Sequence, residues 1–325
     1  MSRKPIPVVV IFAPTASGKT ALTRELFSPK GSHFILNAEV ISADSQAVYC
    51  GMDIGTAKPE KELQKEIPHH LIDILTPDHQ FNVADFVQLA DQACEKIYEK
   101  NRLPVVCGGS GFYIRSFLSG LPQTPKSDER IRNQLKERIE KEGNAALWAE
   151  LKIVDPESAE KIHVNDAYRI CRALEVFYTS GKKRSDCRVE SEFRKNYDFL
   201  FIVLEPPREL LYERIRSRVD LMFELGLESE LHSLLQAGYS KDSPGMKAIG
   251  YAEFLDDSKS NDIDFIKSRI KHNSCKYAKK QYTYIKDIPK SKLIRYNSEE
   301  KDLQSIADLV RKFAKKHGFP IDVNS

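Results

Sequence analysis

The sequence has little of what marks a secreted, disulfide-bonded or membrane-bound protein. Its six cysteines are scattered along 325 residues, with no C-x-x-C pair and no spacing with histidine that is typical of a metal site. No apolar run approaches the length of a membrane span, and the run that begins at Val8 is too short for a secretory signal. We therefore expect free thiols, no membrane segment and a cytoplasmic location.

A strong charge of either sign is also missing. The 50 basic and 47 acidic residues leave a formal net charge of +3. This balance excludes a global polycation, so any binding of nucleic acid must come from local basic patches. The chain shows no internal repeat and no low-complexity segment. Its 41% hydrophobic residues can fill one large core or two modest ones.

A phosphate-binding loop is the clearest feature that is present. A β-branched run at 8–12 leads into a loop of small residues that ends Ser-Gly-Lys-Thr, and a helical pattern follows. Backbone N–H groups of such a loop and the helix N-terminus point at one anion. Lys19 is placed to reach the terminal phosphates, and the Thr20 hydroxyl to hold Mg²⁺. Ala13 stands where the pattern has glycine, and its Cβ limits the backbone there. The residues predicted to bind phosphate are Ala13, Pro14, Thr15, Ala16, Ser17, Gly18, Lys19 and Thr20.

Four short apolar runs, at 8–12, 40–43, 104–107 and 199–204, predict buried parallel strands with helices between them. The predicted fold class is α/β, with a P-loop NTPase-like parallel sheet core. Ligands of such sheets bind beyond the carboxyl ends of the strands. The loop described above, Asp44-Ser45-Gln46 and the glycine-rich segment 108–111 follow three of these strands.

The middle of the chain has a different character. Strand-like runs disappear after about residue 122 and charge increases, while helices are predicted at 130–142 and 165–180. We expect a helical insertion domain there. The predicted division of the chain is a first part of the core at 1–121, the insertion at 122–197, and the return to the core with C-terminal helices at 198–325.

Asp44 and Gln46 each allow more than one interpretation. Asp44 could hold Mg²⁺ through water as in an NTPase, act as a general base beside the phosphates, or only cap a strand end. Gln46 could read an adenine edge with two hydrogen bonds, or be an exposed turn residue. His69 and His70 are expected to be structural rather than catalytic.

Several further segments carry a resemblance to a known family. The string at 52–59, Met-Asp-Ile-Gly-Thr-Ala-Lys-Pro, is a highly specific signal that the phosphate-binding loop alone would not provide. Together with Pro-His-His-Leu-Ile-Asp at 68–73 and Lys-Ala-Ile-Gly-Tyr at 247–251, it resembles the tRNA dimethylallyltransferase (isopentenyltransferase) family. The resemblance covers about residues 6–290. Eukaryotic members often carry a C-terminal zinc finger, and the absence of cysteines after Cys275 makes this chain similar to the compact bacterial type.

The resemblance implies a specific reaction. A dimethylallyl group passes from dimethylallyl diphosphate to N6 of the adenosine on the 3′ side of the anticodon, in tRNAs that read codons beginning with U. The loop then holds a diphosphate leaving group, with Lys19 and Mg²⁺ stabilising its charge. Asp44 accepts the proton of the amine. Ser110, expected to be catalytic together with Asp44 and Lys19, stands where the family usually has threonine, and its hydroxyl can still bond a phosphate oxygen or the neighbourhood of Asp44. Arg214 is predicted to clamp the diphosphate.

The resemblance also implies a tRNA anticodon stem-loop as partner. Arg169 and Arg172 share a helix face, and lysines alternate with tyrosines at 276–286, which suits phosphate contacts and base stacking. The alternative for 276–286 is an amphipathic helix with solvated lysines and buried tyrosines. The residues expected to bind tRNA are Asp44, Ser45, Gln46, Ala47, Ser110, Arg132, Tyr168, Arg169, Arg172, Lys247, Gly250, Tyr251, Lys279, Lys280, Gln281 and Lys286.

Other functions remain open at this level. An adenylate isopentenyltransferase would share the catalytic residues but prenylate free AMP, ADP or ATP. A small-molecule kinase of the P-loop class would turn over ATP without a prenyl donor, and an RNA-binding protein could keep a vestigial loop. The intact Lys19, Thr20 and Asp44 argue against the last of these. We expect a monomer.

Overall fold

A parallel sheet organises the described part of the chain, which in this computed structural model comprises residues 4–187, 192–256, 262–286, 288, 294–296 and 300–321. Six strands occur there, and all their pairings are parallel. Their order across the sheet is β3-β2-β4-β1-β5-β6. The strands are β1 (Ile6–Phe12), β2 (Ala38–Ser42), β3 (His69–His70), β4 (Leu103–Gly108), β5 (Tyr197–Leu204) and β6 (Ile294–Tyr296).

The four central strands confirm the predicted α/β class. β1 is buried along its whole length because it pairs on both sides and helices cover its faces. The edge strands β3 and β6 were not predicted, since two or three residues are too short to show a pattern. The two histidines of β3 have protein partners: Nε2 of His70 lies 2.7 Å from the Glu39 carboxylate, and Nδ1 of His69 lies 2.6 Å from the Ile67 carbonyl.

Helices connect the strands and extend beyond them. The described α-helices are α1 (Lys19–Phe27), α2 (Lys61–Glu66), α3 (Val83–Glu99), α4 (Gly111–Ser119), α5 (Glu129–Glu142), α6 (Asn144–Val154), α7 (Pro156–Lys161), α8 (Ala167–Ser180), α9 (Arg208–Glu224), α10 (Leu227–Gln236), α11 (Ile263–Gln281) and α12 (Glu300–Lys316). Short 3-10 helices occur at Arg184–Asp186, Gly245–Lys247 and Tyr282–Ile285. None of the described helices combines the length and apolar character needed to cross a membrane.

The chain divides into two units. One comprises Met1–Leu118 with Arg194–Ser325 and contains the sheet, and the other comprises Ser119–Phe193. On one face of the sheet, Leu22 and Leu26 of α1 and Val310 of α12 are buried with strand residues in one apolar cluster. This packing fixes the carboxyl ends of the central strands, where the candidate site lies.

The second unit has a small core of its own. Leu135 of α5, Leu147 and Leu151 of α6, and Ile170 and Leu174 of α8 are buried together. Helices predicted at 130–142 and 165–180 are found as α5 and α8. The latter begins later than predicted because the Asp166 carboxylate accepts the Arg169 N–H at 3.1 Å and caps the helix.

Candidate active site

Backbone hydrogen bonds bring three strand ends together. The Ala13 N–H donates to the Gly108 carbonyl at 3.1 Å, and the Ala43 N–H donates to the Cys107 carbonyl at 2.9 Å. The Ser110 N–H in turn donates to the Ala43 carbonyl at 3.1 Å. The phosphate-binding loop after β1, the acidic segment after β2 and the glycine-rich segment after β4 therefore form one site.

This close approach of backbones explains one glycine. A Cβ built on Gly108 would lie 2.1 Å from the Ala43 carbonyl oxygen, a separation that no side chain can adopt. Glycine is required there because the backbone of the neighbouring strand end occupies the space of a side chain.

The phosphate-binding loop has the conformation that its sequence predicts. Gly18 caps α1 with φ 91°, and Ala16 also lies in the left-handed region with φ 60°. The first N–H groups of α1 have no partner within the helix and are available to an anion. Ala13 has no positive φ, so the alanine that departs from the usual glycine causes no strain in the backbone.

Two basic side chains and one carboxylate surround this loop. Burial lowers the pKa of Lys19, while the nearby charge of Asp44 raises it and that of Arg218 lowers it further. Burial also lowers the pKa of Arg218, against the effect of Asp44. Burial raises the pKa of the Cys107 thiol to about 12, so this thiol is protonated at neutral pH. Such an arrangement favours a bound anion beside a group that can accept a proton.

Arg218 rather than Arg214 touches the loop. Both lie on α9 four residues apart, and the Arg218 guanidinium donates a hydrogen bond to Oγ1 of Thr15. Burial raises the pKa of the Tyr296 phenol, and the nearby charge of Arg214 opposes that rise. Sequence reasoning singled out Arg214 as the diphosphate clamp, and this stays a prediction, but the geometry favours Arg218. One turn of helix separates the two, and the sequence pattern does not distinguish them.

Asp44 and Ser110 are held by short local hydrogen bonds. Oδ1 of Asp44 accepts the Gln46 N–H at 2.9 Å, which fixes the turn after β2. Oγ of Ser110 accepts the Ser45 N–H at 3.0 Å and so joins the two segments. Gln46 is half-buried, and its Oε1 is buried with no hydrogen-bond partner among the described residues. A buried acceptor of this kind indicates a hydrogen bond that a ligand supplies.

The C-terminal part of α11 packs against the site. The Gln281 amide donates to the Gly109 carbonyl at 2.6 Å and accepts the Thr15 N–H at 3.1 Å. A hydrogen bond links the hydroxyls of Tyr277 and Ser110, and burial raises the pKa of Tyr277 to about 12. Sequence reasoning missed the roles of Tyr277 and Gln281, because a helical repeat of lysine and tyrosine does not show which face is covered.

The opposite face of the same segment is solvated. Lys279 and Lys280 of α11 and Lys286 beyond it are exposed, as is Lys247 in the segment after α10. Of the tyrosines in 276–286, Tyr277 and Tyr284 are 38% and 37% exposed rather than buried, and a contact of this segment with tRNA stays a prediction. One face contacts the site, and the other presents lysines.

Besides the buried Ser110 and Gln281, three further residues expected at the tRNA surface lie inside the protein. Ala47 is buried, and the buried Gly250 donates its N–H to the Glu253 carboxylate at 2.8 Å. The Tyr251 ring is fully buried and its hydroxyl donates to Glu230 at 2.6 Å. The side chain of Tyr251 thus stabilises the surrounding segment from inside the protein. Contacts between tRNA and the chain segments around Ala47, Gly250 and Tyr251 stay a prediction.

The string at 52–59 forms a loop that buried charges hold. The Glu230 carboxylate accepts the N–H groups of Asp53, Ile54 and Gly55 at 2.8, 2.8 and 3.0 Å. The ammonium of the buried Lys58 donates to Asp53 at 2.7 Å within the same loop. Sequence reasoning used the string only for recognition and did not find Glu230, which lies about 175 residues further along the chain.

Four residues expected to bind tRNA belong to the second unit. Tyr168 is 77% exposed, and the exposed Arg169 lies 3.4 Å from Asp166. Arg172 and Arg132 lie 2.9 and 3.7 Å from the buried carboxylate of Glu175. Burial would raise the pKa of Glu175, but hydrogen bonds from Ser127 and Arg172 outweigh it and lower the pKa. Tyr168 and Arg169 therefore face solvent, while Arg172 also supports the unit itself.

The described residues do not form a metal site by themselves. No group of three or more histidine, cysteine, aspartate or glutamate side chains among them could hold an ion. Thr20 is exposed at the start of α1, and Asp44 lies near the same loop. A metal here would need further ligands from a bound phosphate, which is how proteins usually hold Mg²⁺.

Sequence comparisons find related proteins over most of the chain. A family model described as IPP transferase matches residues 47–288. A tRNA dimethylallyltransferase of Geotalea uraniireducens is 43% identical over 281 residues, which cover 86% of this chain and 89% of that protein. A tRNA dimethylallyltransferase of Geobacter sulfurreducens is 40% identical over 304 residues, which cover 92% of this chain and 95% of that protein.

Solved structures match the chain as well. The crystal structure of tRNA delta(2)-isopentenylpyrophosphate transferase from Staphylococcus epidermidis matches with a TM-score of 0.65 and 35% identity, covering 97% of this chain and 100% of that one. A eukaryotic dimethylallyltransferase acting on tRNA matches with a TM-score of 0.80 and 26% identity, covering 99% of this chain and 82% of that one. By its sequence and its fold, this chain belongs to the IPP transferase family, that of the tRNA dimethylallyltransferases.

Proposed function

We propose that this protein transfers a dimethylallyl group from dimethylallyl diphosphate to N6 of the adenosine 3′ to the anticodon, in tRNAs that read codons beginning with U. The product is N6-isopentenyladenosine. One observation carries the proposal: a phosphate-binding loop with Lys19 and Arg218 lies beside a carboxylate, Asp44, at one end of the sheet. The reaction needs both, because it releases a diphosphate and a proton.

The phosphate-binding loop binds and stabilises the leaving group. As the bond between the allylic carbon and oxygen breaks, the diphosphate gains negative charge. The first N–H groups of α1 and the side chains of Lys19 and Arg218 are already oriented toward that charge, so they stabilise it without reorganisation. A bound diphosphate also favours the charged form of Lys19, against the burial that lowers its pKa.

Asp44 accepts a proton from the nucleophile. The N6 amine of adenine is a weak nucleophile because its lone pair is delocalised into the ring. As the new N–C bond forms, the amine loses a proton, and the Asp44 carboxylate accepts it. The bond from the Gln46 N–H to Oδ1 holds this carboxylate in place. Ser110 orients the same segment through the Ser45 N–H.

We include Mg²⁺ as the cofactor. The hydroxyl of Thr20 offers an oxygen ligand of the kind that this ion prefers, and diphosphate oxygens would complete the set. Bound there, the ion would neutralise charge on the diphosphate.

The adenosine must leave the anticodon-loop stack to reach this site. Oε1 of Gln46, which has no partner among the described residues, can accept a hydrogen bond from the N6 amine. Exposed Lys247, Lys279, Lys280 and Lys286 supply positive charge for RNA phosphates, and exposed Tyr168 a ring for stacking. We propose that a monomer performs the reaction in the cytoplasm, where tRNA is available.

A transfer assay with two acceptors and a separate ATP reaction tests the proposal. The purified protein is incubated with Mg²⁺ and radiolabelled dimethylallyl diphosphate, with unmodified tRNA in one reaction and AMP in a second. A third contains radiolabelled ATP alone. We expect label on tRNA, at the adenosine next to the anticodon. Label on AMP would make the protein a free-nucleotide prenyltransferase, and ATP turnover without prenyl transfer would make it a kinase or NTPase.

A further inference from the structure

Gln281 is a buried polar residue that directly follows exposed lysines in the sequence. It is the last residue of α11 and only 3% exposed, whereas Lys279 and Lys280 just before it are exposed. Its amide makes two hydrogen bonds, both to backbone groups more than 170 residues away in sequence. The resemblance to the family placed it among tRNA contacts, but the side chain points into the site.

The two bonds join two halves of the diphosphate site. Oε1 accepts the N–H of Thr15 within the phosphate-binding loop, and Nε2 donates to the carbonyl of Gly109 after β4. The same Thr15 receives the guanidinium of Arg218 on its hydroxyl. Gln281 therefore fixes the backbone, and Arg218 the side chain, at one position of the loop.

Gly109 shows how closely this amide is fitted. A Cβ built on Gly109 would lie 2.4 Å from Nε2 of Gln281 and 3.1 Å from the Ala13 carbonyl oxygen. The absence of a side chain at Gly109 makes room for the amide. An amide can donate and accept at once, which neither a carboxylate nor an aliphatic side chain can do at neutral pH.

We propose that Gln281 is a positioning residue of the diphosphate site, and that it acts by holding the phosphate-binding loop against the segment after β4. It does not contact tRNA. The inference rests on the proposed function for the identity of the leaving group. Gln281 is not part of the phosphate-binding loop. It belongs to α11, a helix whose exposed face carries lysines.

Binding of inorganic diphosphate tests this without any prenyl transfer. Titration calorimetry with Mg²⁺ and inorganic diphosphate is run on wild type, Gln281→Ala and Gln281→Glu. Losing the hydrogen bond to the loop and the one to Gly109 predicts an affinity about tenfold lower for Gln281→Ala. Gln281→Glu keeps the shape, loses the donor and adds a negative charge, so we expect at least as large a loss. Gln236→Glu, at an exposed position at the end of α10, adds the same charge and is expected to change the affinity less than twofold.

The same preparations are titrated with an anticodon stem-loop. We expect the affinity of each Gln281 variant for this RNA to stay within twofold of wild type, which also shows that the variants are folded. A role as tRNA contact predicts the reverse, with weaker RNA binding and unchanged diphosphate binding, and that result would overturn the proposal. If wild type binds diphosphate but prenylates no tRNA, the proposed function fails while the role of Gln281 is still tested.

A double-mutant cycle with Gly109→Ala gives a second test. The added methyl displaces the Gln281 amide, so the single variant is expected to lose about as much diphosphate affinity as Gln281→Ala. In the Gln281→Ala background the closest clash of the methyl is gone and only the Ala13 carbonyl oxygen at 3.1 Å remains near it, so the further loss is expected to be less than threefold. Additive losses would show that Gly109 acts independently of Gln281 and would contradict the proposed link.

Discussion

Replacing Arg218 by glutamine removes one of the two basic side chains beside the phosphate-binding loop. Glutamine keeps a polar side chain of moderate length and can still reach toward Thr15, but it carries no charge. The fold should tolerate the change, since Arg218 is only partly exposed and is bonded to a loop hydroxyl rather than to a buried carboxylate. The effect therefore falls on the reaction.

The expected magnitude follows from the position of the guanidinium. It lies near enough to Lys19 and Asp44 to influence the pKa of the first and to be influenced by the second. A guanidinium held beside the loop that binds the leaving diphosphate acts as a preorganised hydrogen-bond donor. Removal of such a donor costs about 3–4 kcal/mol of transition-state stabilisation, or a factor of about 10²–10³ in rate.

The assay is the rate of label transfer to tRNA at several concentrations of dimethylallyl diphosphate. Arg214→Gln is the matched control, because Arg214 lies one turn earlier on α9, beside Tyr296. We expect kcat/KM to fall about 10²–10³-fold for Arg218→Gln and less than threefold for Arg214→Gln. The reverse order would restore the prediction made from the sequence, and equal small effects would refute a role of α9 in binding the leaving group.

Three further predictions concern stability and RNA binding. Glu230→Gln replaces a carboxylate that accepts four hydrogen bonds. Urea denaturation should show that the free energy of unfolding falls by about 2–4 kcal/mol. A fall below about 0.5 kcal/mol would contradict the role of Glu230 in holding the loop at 53–55. The pKa of Glu175 is lowered in the fold, so its contribution to stability is present above the usual glutamate pKa and disappears as the pH falls through the lowered value. Urea denaturation of Glu175→Gln and wild type should therefore differ at pH 7 and converge in acid, and an equal difference at both pH values would refute the pairing. Lys280→Glu should weaken tRNA binding and reduce the slope of log K against log salt by about one or more, and an unchanged slope would remove Lys280 from the RNA interface.

The sheet and its loop were predictable because their signals are local. Each central strand contains a short apolar run, and the phosphate-binding loop lies between a strand and a helix with the right residues in order. β3 and β6 were not found because their hydrogen bonds, rather than any sequence pattern, define them. The expected difficulty at Ala13 did not arise, since the backbone there adopts no positive φ.

The contacts that complete the site were not predictable because they join distant segments. Nothing near Gln281 in the sequence indicates that its amide reaches Thr15 and Gly109. The choice of Arg218 over Arg214 depends on the rotation of α9 about its axis. Glu230 looks like an ordinary acidic residue of an amphipathic helix until the loop at 53–55 is folded against it.

The departure at Ser110 is explained by the same contacts. Where the family usually has threonine, the serine hydroxyl accepts the Ser45 N–H and is linked to Tyr277. These bonds need only the hydroxyl. The methyl group of threonine would add packing, so its loss is not expected to change the position of Asp44.

The most direct test of the account is Asp44→Asn, measured for prenyl transfer and for tRNA binding with the same preparation. Asparagine keeps the shape of the turn but cannot take the proton of the amine. We predict that the transfer rate falls by about 10²–10⁴, the usual contribution of a general base, while the affinity for tRNA changes less than threefold. A variant that transfers the dimethylallyl group at the wild-type rate would contradict the assignment of Asp44 as the base and with it the mechanism proposed for this site.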